Sequence, residues 1–207
     1  MNPQPYPTCA PPCPSKSRRG RALGFTLVEL MIVVAIVGIL SVLAIVGYRR
    51  LILAAHTSEA THMVQSIRVA EEAYHAEAQT YVSTSATGTD VTYPMAIGLI
   101  GAAKWTWTVP IPPTTGCTAG PGAPNCFGLL PVHTDGAVVY GYATISNVAG
   151  TPPVAIAAGV TTLNGPPGNS PTDWYWVTAT GNPSGEGPPY SYVVGNSFVN
   201  DLFVQDQ

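Results

Sequence analysis

The chain has 207 residues, enough for one ordinary domain with an appendage. Charged residues make up only 9% of it, against about 25% in average soluble proteins, while hydrophobic residues at 46% exclude an intrinsically disordered chain. The formal net charge of −3 hides an asymmetry: Lys16, Arg18, Arg19 and Arg21 precede Gly24 without an acid, and Arg49, Arg50, Arg68 and Lys104 face all eleven acids after it.

Past the basic cluster lies an apolar run. Phe25 to Val46 spans 22 residues with one ionisable group, Glu29. At about 1.5 Å per residue this crosses a hydrocarbon core of about 30 Å. Cations just before such a run put the N-terminus in the cytoplasm, a signal that Arg49 and Arg50 weaken without reversing. Everything C-terminal to them then lies across the membrane. A secretory signal peptide has an apolar core of about 7–15 residues followed by a small-residue cleavage site. Val42-Leu43-Ala44 imitates such a site, but the run is too long and holds Glu29 inside its core. No cysteine follows the run closely, which excludes a lipoprotein signal. A plain anchor has no use for Glu29, because a lone carboxylate in lipid costs several kcal/mol without a partner.

The stretch GFTLVELMIVVAIVGIL, from Gly24 to Leu40, closely resembles the prepilin signal of type IV pilins and type II secretion pseudopilins. The resemblance covers about 25 residues: a basic leader, the Gly-Phe junction, Thr26, Glu29 and an unbroken apolar helix. It implies that a prepilin peptidase cuts after Gly24 on the cytoplasmic side and N-methylates Phe25. It also implies that Glu29 is the family's assembly glutamate, meeting the new amine of a neighbouring subunit's Phe25. Removing either charge would then strand the other in low dielectric, at a cost of several kcal/mol. The expected fold is α+β and pilin-like, a long N-terminal helix whose first half spans the membrane, packed on an antiparallel β-sheet. The implied function is that of a structural subunit of a type IV pilus-like filament, with the type II secretion pseudopilin as the alternative and a membrane-tethered enzyme or binding module as a remote one. Implied partners are other pilin subunits, the prepilin peptidase, an inner-membrane assembly platform with its ATPase, and the membrane itself before assembly; no cofactor is implied. The expected segments are a cleaved leader (1–24), a filament-core half-helix (25–47), an amphipathic half-helix (48–80) and a β-rich head (81–207). Two features depart from the family pattern. The leader is long and proline-rich at its start, so translation is expected to begin later than Met1. Many pilins also carry a proline near the end of the run, where this chain has Val46.

The helix is expected to continue to about Gln79, since TYVSTSATGTD has no helical pattern and Gly88 breaks it. Met63, Ile67, Ala70, Tyr74, Ala78 and Tyr81 recur every three or four residues as one stripe, with Glu59, Gln65, Glu71, Glu72 and Gln79 opposite. Beyond Thr80 the pattern changes to short strands between prolines and glycines: Lys104–Val109, Ala137–Ile145, Val154–Thr161, Trp174–Ala179, Ser191–Val194 and Leu202–Val204. Alternation in Trp105, Trp107 and Val109, and in Trp174, Trp176 and Thr178, fits an antiparallel sheet laid on the helical stripe. The tryptophans are read as packing rather than a ligand platform.

Cys117 and Cys126 bracket CTAGPGAPNC, a stretch rich in turn formers. In an oxidising compartment a disulfide is expected there, worth about 2–3 kcal/mol for so short a loop, with two free core thiols as the alternative. Finger-like spacing of four soft ligands is missing, which disfavours zinc. The turn GNPSGEG offers Asn182, Ser184 and Glu186 as side-chain oxygen donors, too few for the six to eight oxygens that calcium takes. No GxSxG, HExxH or Walker loop is present, and no metal site or enzymatic activity is expected. His133 and Asp135 fall in a turn-like stretch, and no two of His56, His62 and His75 are three or four residues apart. Glu71 and Glu72 diverge by about 100° on a helix and cannot form a catalytic pair. Beyond Arg50 only Arg68 and Lys104 stand against ten acids, so direct nucleic-acid binding is not expected.

Overall fold

The computed structural model describes residues 24–85, 92–95, 103–108, 124–152, 170–185 and 190–205. The chain divides into two compact units, residues 1–45 and 46–207. One helix, α1 (Leu27–Ala78), belongs to both.

Within the first unit, α1 is apolar all round. Every large apolar side chain from Phe25 to Val46 is at least half exposed, from 77% at Phe25 to 50% at Val46. A helix with no polar face and no buried face cannot be stable in water on its own account; it needs lipid or other protein. By length and hydropathy it can cross a membrane.

Within the second unit, α1 acquires a buried face. Ala60, Met63, Val64, Ile67, Ala70 and Glu71 are buried at helical spacing. All but Glu71 join Tyr142, Tyr175, Val177, Ala179 and Val193 in the main core. Those residues come from a four-stranded antiparallel meander of β3 (Gly141–Asn147), β4 (Trp174–Gly181), β5 (Ser191–Asn196) and β6 (Phe203–Gln205). Register pairs Ile145 with Trp176, Trp176 with Asn196, and Val193 with Val204. A smaller ladder pairs β1 (Trp105–Thr106) with β2 (Ala137–Val138). Between these two short strands a 3₁₀ turn, Pro124–Leu129, places Phe127 against Trp107 at 5.5 Å between ring centroids.

The expected stripe is largely observed, with two corrections. Ala78 is exposed, because α1 ends there and Gln79 turns the chain at a positive φ of 57°. Glu71, expected to face outward, is fully buried.

The strands also differ in detail. The expected strand Ala137–Ile145 is two strands, since the amide of Val139 donates to Glu59 Oε1 at 3.0 Å rather than to a ladder. Of Lys104–Val109 the described residues 104–108 form a strand only at Trp105–Thr106, and Val109 and Val154–Thr161 lie outside the described residues. β4 is buried at all eight positions. Successive side chains alternate faces, so Tyr175, Val177 and Ala179 meet the helix. Trp174 and Trp176 point to the other face and pack with Ile145 and Val194 in a second cluster. These two tryptophans are packing residues on the side away from α1, whereas Trp107 packs in the main core.

One close approach sets the spacing of helix and sheet. A methyl group on Gly195 would sit 2.7 Å from Arg68 Cδ, 2.9 Å from Leu202 Cδ2 and 3.0 Å from Val64 Cγ1. Only glycine lets α1 lie this near β5.

Candidate functional site

The residues that sequence reasoning gathers at the N-terminal junction stand at the start of α1. Gly24 and Phe25 are exposed and precede the first helical turn, and nothing lies within 4 Å of the position a Gly24 Cβ would take. The peptide between them is therefore accessible. Thr26 caps the helix: its Oγ1 accepts the Glu29 amide at 3.2 Å, and its carbonyl accepts the Leu30 amide at 3.2 Å. Threonine followed three residues later by glutamate is the capping-box pattern, which satisfies otherwise unpaired amides of the first turn. That signal was available in Thr26-Leu-Val-Glu29 and adds a structural role for Thr26. Glu29 itself is exposed, in the first turn of a helix whose N-terminal dipole favours an anion.

The remaining candidates lie in the second unit. Cys126 is buried and disulfide-bonded; Cys117 lies outside the described residues. His133 and Asp135 are exposed. Asn182 closes the turn before Gly185, its Oδ1 accepting the Gly185 amide and the Ser184 hydroxyl, both at 3.1 Å, while Glu186 is outside the described residues. Among the described residues no three of His, Cys, Asp and Glu gather closely enough to hold a metal ion.

Two side chains of the helix are spent on holding loops. Arg68 donates to the carbonyls of Asn200 at 2.9 Å and Val199 at 3.0 Å. His75 stacks on Tyr81 at 4.2 Å and stands 4.0 Å from Asp173, whose other oxygen accepts the Ala149 amide. Beside them an open groove of about 620 Å³ is lined by Glu72, His75, Tyr81 and Asp173. Burial, then the charge of Glu72, pushes the Tyr81 hydroxyl up to about 12. Sequence reasoning missed Glu71. Its Oε2 accepts the Val82 amide at 2.9 Å, and burial pushes its carboxyl up to about 8 against the opposing pull of that amide and the Thr144 hydroxyl.

The fold and the N-terminal site define a class: an α+β protein with a bare apolar stem preceded by an accessible Gly-Phe peptide. Residues 19–45 match the prokaryotic N-terminal methylation motif. A fimbrial protein of Pseudomonas aeruginosa is 43% identical over 70 residues, which is 34% of this chain and 45% of the relative. A second fimbrial protein of the same organism matches to the same extent. The chain thus spans about half the length of the curated relatives it matches. No solved structure matches it. Together the methylation motif and the fimbrial relatives support the type IV pilin family.

Proposed function

We propose that this chain is the structural subunit of a type IV pilus-like filament. A prepilin peptidase cuts after Gly24 and methylates the new amine of Phe25. The 25–47 segment then holds the subunit in the inner membrane, with the N-terminus cytoplasmic. An assembly platform and its ATPase extract it, and stems of neighbouring subunits pack as the filament core while the 81–207 head, joined through 48–80, forms the surface outside. Cys117 is the natural partner of Cys126 in that oxidising compartment.

The single observation that carries this reading is the stem. It exposes apolar residues on every side and bears one carboxylate, Glu29, the fifth residue after the cleavage junction. A polymer supplies both needs at once: apolar neighbours for the stem, and a neighbour's cationic amine for the acid. The names of the relatives favour a pilus over a secretion pseudopilus, and point to a structural rather than enzymatic role. Arg68 is occupied by two backbone carbonyls, which leaves little cationic surface for nucleic acid.

Glu29→Ala tests the reading. The variant is expected to insert in the membrane and to be processed, yet to be missing from sheared filaments. Incorporation at the normal level would defeat the pairing of Glu29 with the Phe25 amine.

A further inference from the structure

A carboxyl removed from water must be paired, hydrogen-bonded or neutral. Glu71 has 0% exposure, and among the described residues its Oε1 has no hydrogen-bond partner. Its Oε2 holds the amide of Val82, in the segment that leaves α1 and runs along the outer edge of β3. All five residues of that segment, Tyr81 to Ser85, are buried. On the sheet side it is held by Thr144: the Thr84 and Ser85 amides donate to its carbonyl at 2.9 and 3.1 Å. The Thr144 amide donates to Thr84 Oγ1 at 2.8 Å, and its hydroxyl donates to the Val82 carbonyl at 3.0 Å. Ser146 adds a bond to the Tyr81 carbonyl at 3.1 Å. The segment is a strap, pinned to β3 by several bonds and to the helix by Glu71.

The charged and titratable groups around Glu71 do not offset its burial. On its own helix, Glu72 opposes ionisation. Arg68 is turned to Val199 and Asn200, and His75 is engaged with Tyr81 and Asp173. From the strap comes Tyr81, which donates to Glu72 at 3.4 Å. From the sheet come Tyr142 and Tyr175, whose hydroxyls burial keeps neutral well above the ordinary range.

We propose that Glu71 is a proton-gated clasp, which as a neutral acid holds the Tyr81–Ser85 strap between α1 and β3 and on ionisation releases its helix side. When the carboxyl O–H bond breaks, the proton passes to solvent base. The anion has a buried second oxygen without a donor, and giving up the Val82 amide so that the strap opens to water relieves that cost. The folded protein holds this proton more tightly than the unfolded chain. The clasp is therefore tightest below the free carboxyl's 4.5, loosens as pH rises from there, and has lost its full contribution once pH passes about 8. The proposal concerns the lone subunit and stands or falls apart from polymerisation.

Hydrogen exchange on the full mature chain in detergent tests it, comparing wild type with Glu71→Gln from about pH 5 to about pH 9. With rates corrected for intrinsic exchange, the wild-type strap amides are expected to lose protection by up to about tenfold per pH unit between about 5 and about 8, and to level off above that. The variant, which keeps an acceptor for Val82 and cannot ionise, should stay level, and β4 should stay protected in both. A wild-type strap as level as the variant's, or strap and β4 opening together in both, would overturn the proposal. Failure of Glu71→Gln to fold would count equally against it, since glutamine copies the neutral acid's shape.

Discussion

Glu71→Gln should raise the stability of the second unit at neutral pH. Burial lifts the Glu71 carboxyl from 4.5 to about 8. The unfolded chain ionises first, so wild-type stability is fullest below 4.5, falls as pH rises through the window, and levels off above about 8. Each pH unit in the window costs about 1.4 kcal/mol, so by about pH 7 the acid has lost about 3 kcal/mol. Glutamine loses none of it. It does bury one more N–H than the neutral acid, at about 1 kcal/mol, which leaves a net gain of about 2 kcal/mol. For a chain of this size that is a rise of about 4–8 °C in Tm. The assay is scanning calorimetry of the mature chain in detergent, repeated from about pH 4 to about pH 9. The gain should vanish toward the acid end. A variant that is less stable at every pH, or whose advantage ignores pH, would refute the reasoning.

Gly195→Ala should cost about 1–3 kcal/mol, because its methyl would crowd Val64, Arg68 and Leu202 at 3.0 Å or less; a loss under about 0.5 kcal/mol would mean that α1 shifts freely over β5. Cys126→Ala should lose about 2–4 kcal/mol, and a reductant should lower the wild type by a similar amount. If reductant leaves the wild-type transition in place, the bridge adds no stability. Glu29→Ala should leave membrane insertion intact and abolish recovery in filaments, as measured on sheared material.

The stem was the most legible part of the chain. An apolar run with one acid at a fixed distance from a Gly-Phe pair is read from residue types alone, and Thr26-Leu-Val-Glu29 even announces the helix cap. The head was legible at the level of its strands, since β4 and β5 follow apolar runs bounded by turn residues. What escaped was set by tertiary partners. Glu71 lies four residues after Ile67 and seven after Val64, so its angle on the helix is that of the buried stripe, but its chemistry suggested the outer face. The break at Val139 depends on Glu59, a partner 80 residues away that no local pattern reveals. Trp174 and Trp176 alternate as expected, yet the face they choose could not be read because β4 is covered on both sides.

Mass spectrometry of the mature N-terminus tests the central claim most directly. The protein isolated from membranes or filaments should begin at Phe25 and carry one N-methyl group, with residues 1–24 removed. A chain that begins at Ile45, as after ordinary secretory cleavage, or one that keeps its basic leader in assembled material, would contradict the account.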